Sequence, residues 1–94
     1  MIKWIDLGLK EEDADEVFKE DTRQFKKWGV QKHDQFTWMA ILTEEVGELA
    51  QAILKAKFEC ELTKYKDAIK KIEKEAIQVA TLALKIAKMS KKED

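Results

Sequence analysis

The 94-residue sequence contains no proline, one serine, one cysteine and three glycines. Without Pro, and with Gly so sparse, it lacks the punctuation that strand-and-turn architectures require. Its one Cys, Cys60, cannot close an internal disulfide, and no Cys/His set has the spacing of a zinc site. Neither sign of charge dominates: 18 basic residues face 19 acidic ones, for a formal net charge of −1. A general grip on DNA or RNA needs a clear basic surplus to displace phosphate counterions, so nucleic-acid polymers are not expected partners. No apolar run approaches the roughly 18 residues that cross a bilayer, which argues against a membrane partner. Met1-Ile2-Lys3-Trp4-Ile5-Asp6 carries charges where a signal peptide has its apolar core. A soluble, cytoplasmic protein is the expectation.

Abundant Lys, Glu, Ala, Leu and Ile, strong or fair helix formers, predict an all-α fold in one domain, 1–94. Residues 1–10 form an N-terminal extension in which Gly8 precedes the acidic run Glu11-Glu12-Asp13, suited to a helix start. A first helix from about Glu11 to Trp28 repeats Val17, Phe18, Phe25 and Trp28 at helical intervals, with Gly29 as its stop. After a connector through Asp34, a second helix runs from near Gln35–Thr37 to about Phe58. Gly47, inside it, costs about 1 kcal/mol relative to Ala and suggests close backbone approach. A short turn follows at Phe58-Glu59-Cys60-Glu61, with Thr63 as a candidate N-cap. The third helix extends from about Lys64 to Met89, and Ser90–Asp94 form a solvated tail. So short a chain buries only about 60–65% of its unfolded surface. The wide apolar arc of the third helix (Ile69, Ile72, Ala76, Val79, Ala83, Ile86, with Ile77, Ala80 and Leu84) therefore predicts a four-helix-type core completed by dimerisation.

The informative feature is a carboxylate on the wrong face. With the second helix wound at about 100° per residue, Trp38, Ile41, Leu42, Leu49, Ala52 and Ala56 all lie within roughly 60° of Glu45. Glu48 stands at the edge of that apolar stripe, and Glu44 points toward the polar side. An ionised carboxylate in an apolar seam costs several kcal/mol unless paired, protonated or bound to metal. Two readings follow: a buried Glu paired with a Lys, or hard oxygen ligands for a divalent cation. On the third helix Glu75 and Gln78 repeat the i,i+3 spacing at the border of its stripe. Two helices each offering such a pair toward one seam is a known way to build a metal site.

The segment Trp38-Met39-Ala40-Ile41-Leu42-Thr43-Glu44-Glu45-Val46-Gly47-Glu48-Leu49 resembles the first metal-binding helix of the MazG-like all-alpha nucleoside triphosphate pyrophosphohydrolases. That signature is E-E-x-x-E followed, after a spacer, by E-x-x-D. Glu44, Glu45 and Glu48 match its first half, and Glu75-Ala76-Ile77-Gln78 resembles the second with Gln in place of Asp. Lys27-Trp28-Gly29-Val30-Gln31-Lys32-His33 resembles the W-x-Q-x-H segment of related deoxynucleotide pyrophosphatases. The likeness covers roughly Phe25 to Leu84.

The resemblance implies an enzyme that cleaves (deoxy)nucleoside triphosphates to monophosphate and pyrophosphate with Mg²⁺, or Mn²⁺, as cofactor. Glu45, Glu48, Glu75 and Gln78 would hold the ion, while Glu44 would support the ligands or position the attacking water and Glu45 would share in catalysis. Gln78 leaves three negative charges where the family pattern has four, which predicts weaker Mg²⁺ binding. Trp28 and Trp38 are candidates to stack on a base, and Gln31 and His33 to hydrogen-bond its edge. Trp38 also reads as simple core packing, and His33 as a solvated loop residue. Lys71 and Lys74, with Lys66 and Lys70, are candidates to steer phosphates, or simply a solvated helix face. The assembly expected is a homodimer or a dimer of dimers. The alternatives are a catalytically reduced nucleotide-binding or scaffolding homologue, and a plain bundle whose acidic pairs bridge to Lys.

Overall fold

A computed structural model describes residues 7–58 and 61–92. Helices α1 (Glu11–Trp28), α2 (Gln35–Phe58) and α3 (Tyr65–Lys92) follow one another, with a 3₁₀ turn at Leu62–Lys64 before the last. No strand occurs among the described residues, and no helix is long and apolar enough to cross a membrane. Met1–Asp6 of the expected extension, Glu59 and Cys60 of the expected turn, and Glu93 and Asp94 of the expected tail lie outside the described residues.

Local chemistry explains each boundary. At the start of α1 the Lys10 N–H donates to Asp13 Oδ2 at 2.7 Å, and the Asp13 N–H returns to Lys10 O at 3.0 Å. The helix stops at Gly29, whose φ of 70° is a region L side chains rarely enter and whose N–H bonds Phe25 O at 2.8 Å. Asp34 caps α2 by accepting the Thr37 N–H at Oδ1, 2.7 Å away. That bond is the main reason the Asp34 carboxyl titrates below its ordinary value.

Two sequence expectations change at the third helix. Thr63 is not its N-cap but lies inside the 3₁₀ turn, where the Lys64 N–H bonds Glu61 O at 2.9 Å. Ser90, Lys91 and Lys92 continue α3, which therefore runs past the expected end at Met89, with Lys91 and Lys92 exposed. The Ser90 hydroxyl donates to Ile86 O at 3.0 Å and accepts from Gln35 Nε2 at 3.2 Å. These bonds tie the first residue of α2 to the last turns of α3.

The same tie shows that α2 and α3 run antiparallel. Helix α3 is the central element, and α1 and α2 pack on it without their backbones approaching each other. The α1 contact is largely polar: Lys85 Nζ donates to Gln24 Oε1 at 2.7 Å and pairs with Asp21 Oδ1 at 3.0 Å. Consequently the expected apolar stripe of α1 is not a core stripe. Val17 is half-buried, whereas Phe18, Phe25 and Trp28 are 66%, 58% and 59% exposed.

Among the described residues only Trp38, Ala52 and Leu82 are buried apolar side chains. The accessible surface is 8393 Å², against about 5600 Å² for a compact monomer of 11.0 kDa. The radius of gyration, 15.5 Å, exceeds the roughly 12 Å expected for this length. Three helices side by side leave a great deal of apolar surface wet.

The two described helix-related glycines differ in kind, which yields a test. Gly29→Ala places a Cβ in open space but on a positive-φ backbone, and is expected to lower stability by about 1–2 kcal/mol. A Cβ on Gly47 meets nothing within 4 Å, in place of the close approach expected from sequence. Gly47→Ala should therefore raise stability by about 1 kcal/mol through helix propensity. Thermal melts of the two variants check both signs.

Candidate metal centre

Winding α2 as a helix does set Glu45 among its core-facing residues. Trp38 and Ala52 are buried on that face, Ile41, Leu42, Leu49 and Ala56 half-buried, and Glu45 half-buried with them. Because α3 runs antiparallel, its own i,i+3 pair arrives at the same level. Glu75 is 5% exposed, and one carboxylate oxygen from each of Glu45, Glu48 and Glu75 lies within 4.8 Å of the others. Gln78 is half-buried beside them. In the amide orientation that satisfies its hydrogen bonds, the Gln78 nitrogen donates to Glu45 Oε2 and Glu75 Oε2, each at 3.0 Å.

Little positive charge touches the cluster: Arg23 is near enough to feel the Glu45 charge, but its guanidinium is bonded to Glu20. Lys71 Nζ reaches Glu75 Oε1 at 3.7 Å, a long contact from a largely exposed lysine. Among the described residues neither Glu45 nor Glu48 makes an ion pair. Burial, then the charges of Glu48 and Glu75 and a hydrogen bond with Glu48, push the Glu45 carboxyl above its ordinary value. The reading in which these carboxylates bridge to lysines thus holds for Glu75 alone.

A fourth carboxylate, on α1, shows what a satisfied one looks like. Glu20, 8% exposed, accepts from Arg23 Nε at 2.8 Å, Arg23 Nη2 at 2.7 Å and Gln24 Nε2 at 2.7 Å. Burial alone would raise its pKa, but those bonds and the Arg23 and Lys74 charges hold it below the ordinary value. Sequence reasoning missed this group. The signal was there: Val17, Glu20 and Gln24 repeat at spacings of three and four, so the α3-facing edge of α1 is polar.

The donor set fits a hard divalent cation. It offers three carboxylates and one amide, with no nitrogen or sulfur ligand. Around an octahedral Mg²⁺ at 2.0–2.1 Å, adjacent ligand oxygens stand about 2.9 Å apart and opposite ones about 4.2 Å. Since at most one pair among three ligands can be opposite, oxygens spread over up to 4.8 Å would have to close until at least two pairs stand about 2.9 Å apart, and the Gln78 amide needs a half-turn to present its oxygen.

An open cleft lies on each side of the cluster. One, of about 690 Å³, is walled by Glu48 and Glu75 and runs to the 3₁₀ turn. The other, of about 720 Å³, lies between the connector, Phe25 and the end of α3. Gln31, His33 and Trp38 are brought together in this second cleft, with the His33 and Trp38 rings edge-to-face at 4.9 Å and 80°. Trp38 is packed in the core and also forms part of the cleft wall. Trp28 lies outside either cleft, with Lys27 Nζ 4.9 Å over its ring. Lys71 lines the first cleft, whereas Lys74 lines a separate groove beside Glu20. Glu44 is exposed and stands apart from the three clustered carboxylates.

Compared with models of known families, with curated proteins and with solved structures, the chain matches none.

The pH dependence of stability follows from the signs of the two shifts. Glu45 binds its proton more tightly folded than unfolded, so metal-free stability falls as pH rises above about 4.5 through its raised pKa. Glu20 has the opposite sign, and its contribution is lost as pH falls below about 4.5. Melts in EDTA between pH 4 and 8 should show a maximum on the acid side of neutrality. Glu45→Gln should remove the decline above it.

Proposed function

We propose that this chain is a metal-dependent nucleoside triphosphate pyrophosphohydrolase of the MazG-like all-alpha type, working as a homodimer in the cytoplasm. The observation that carries the reading is the convergence of Glu45, Glu48 and Glu75 at the α2–α3 seam with too little positive charge beside them. Such a cluster is stable chiefly when a cation completes it. The likeness of Glu44-Glu45-x-x-Glu48 and Glu75-x-x-Gln78 to the family signature supplies the substrate class.

In this reading Glu45, Glu48 and Glu75 hold Mg²⁺ or Mn²⁺, with Gln78 turned to give its carbonyl oxygen. The bound ion would neutralise phosphate charge and acidify a water molecule. The buried Glu75 and half-buried Glu45 would anchor the ligand set, with the exposed Glu48 and the Gln78 amide adjusting to the ion. Water oxygen bonds to the α-phosphorus, the bond from that phosphorus to the bridging oxygen breaks, and pyrophosphate leaves with the electron pair. Glu44 sits one turn before Glu48 on the exposed side of α2, where it can orient the water, take its proton and pass it to solvent. In the second cleft Trp38 and His33 supply an aromatic wall for the base and Gln31 an edge contact.

The homodimer rests on α2 as well. Met39, Leu42, Val46, Leu49, Ile53 and Ala56 repeat at intervals of three and four, a heptad seam beside the one facing α3. Met39, Val46 and Ile53 are 58%, 45% and 46% exposed. Packing this seam and the free arc of α3 against a second copy makes a four-helix core from two α2–α3 pairs.

Four measurements test the proposal. Wild-type protein should release pyrophosphate from at least one (deoxy)nucleoside triphosphate in Mg²⁺ but not in EDTA. Glu48→Gln should lower that rate by about 100-fold or more. Gln78→Asp should tighten Mg²⁺ binding while lowering the melting temperature in EDTA, because it adds charge and removes two donated hydrogen bonds. Val46→Lys with Ile53→Lys should convert a dimer, seen by light scattering, into a less stable monomer. A folded wild-type protein that releases no pyrophosphate from any triphosphate would falsify the enzyme reading.

A further inference from the structure

The two clefts are not equivalent, and their difference gives the site a direction. In the cleft toward the 3₁₀ turn, Lys55 comes from the last turn of α2, Lys64 from the turn itself and Lys71 from α3. The opposite wall is Glu48 and Glu75 of the acidic cluster. Among the described residues Lys55 and Lys64 make no ion pair, and Lys71 has only its long contact to Glu75. Two further acids, Glu61 and Asp67, line the same space. A divalent cation shared by Glu45, Glu48 and Glu75 would leave one of their three charges uncompensated, so three ammonium groups would then balance that charge and those two acids, where the cleft without it has an excess of acid. The cleft beyond Trp38 instead has the aromatic wall of His33, Trp38 and Phe25. Trp38 and Lys55 lie on the same helix on either side of Glu45 and Glu48, each seven residues, about 10.5 Å, from the nearer one.

Resting on the proposed hydrolysis, we infer that Lys55, Lys64 and Lys71 form the subsite for the β,γ-diphosphate of the substrate, and so for the pyrophosphate leaving group. The triphosphate then lies along the α2–α3 groove with its scissile bond at the acidic cluster and its nucleoside toward the connector. Lysine ammonium groups suit this task, because they are mobile point charges that follow a diphosphate as it departs. The competing role for Lys55 is structural: a cation in the last turn of a helix interacts favourably with the helix dipole. That role makes no demand for pyrophosphate.

The test is direct binding of inorganic pyrophosphate, in the presence of Mn²⁺, to the full chain by calorimetry, with melting temperature recorded for every variant. The double variant Lys55→Gln/Lys64→Gln is expected to bind pyrophosphate about 10-fold or more weakly, with unchanged affinity for Mn²⁺ alone. Lys55→Arg/Lys64→Arg should restore most of the affinity, and Lys26→Gln, which lines neither cleft, should have no effect. Equal pyrophosphate affinity in the double variant overturns the subsite, as does an equal loss in Lys85→Gln/Lys88→Gln at the other end. The failures separate cleanly. A wild type that hydrolyses triphosphates while the double variant keeps its affinity refutes only the subsite. A wild type that binds pyrophosphate through these lysines yet hydrolyses nothing refutes only the hydrolase.

Discussion

Everything in this fold is arranged around a repulsion. Two unit negative charges at most 4.8 Å apart repel by about 3–4 kcal/mol at an effective dielectric constant near 20, before solvent at the exposed Glu48 reduces it. Three such pairs are a serious load for a domain whose net stability is of the order of 5–15 kcal/mol. The chain relieves part of the load internally: Glu45 holds its proton more tightly, Gln78 donates to two of the three carboxylates, and Lys71 leans in from 3.7 Å. A divalent cation would relieve the rest at one stroke. Glu20 is the contrast that makes the point, because a more fully buried carboxylate with Arg23 and Gln24 beside it titrates low rather than high.

Local signals made most of the fold legible before any coordinates. The limits of α1 and α2 follow from an acidic first turn, a glycine stop and a break in apolar periodicity, all written within a few residues of the boundary. Glu45 was visible as a core-facing carboxylate because helical winding is a local property. What stayed hidden depends on which helix lies beside which. The tie from Gln35 to Ser90 joins the end of α3 to α2, and nothing within Ser90–Asp94 announces it. The polar footing of α1 on α3, through Lys85, Gln24 and Asp21, leaves Phe18 and Phe25 outside, although their spacing reads as a core stripe. Lys55 and Lys64 look like unremarked surface lysines until antiparallel packing sets them opposite Glu48 and Glu75.

The apolar surplus and the acidic seam are linked through α2. That helix is apolar around most of its circumference, a pattern that goes with burial on several sides. One face meets α3 and carries Glu45 and Glu48, while the neighbouring heptad seam through Met39, Val46 and Ile53 is left half-exposed. Covering that seam would tighten the helix that positions two of the three carboxylates, and would lower the dielectric around them. A lower dielectric raises the cost of the uncompensated cluster and, equally, the value of the cation that compensates it. Assembly and metal affinity are therefore expected to rise together.

Gln78 is where these demands meet. An aspartate there would add a fourth charge to three that already repel, so the unloaded chain would depend more heavily on its cation to stay folded. A glutamine can turn its amide, with its nitrogen toward Glu45 and Glu75 when they lack a cation and its oxygen toward a cation when they share one. The same side chain would serve both states, at the cost of one negative charge if a cation is bound. A chain with only three buried apolar side chains among its described residues has little stability to spend on an unloaded cluster. A neutral side chain that donates to two of the three carboxylates adds no further repulsion to that small core.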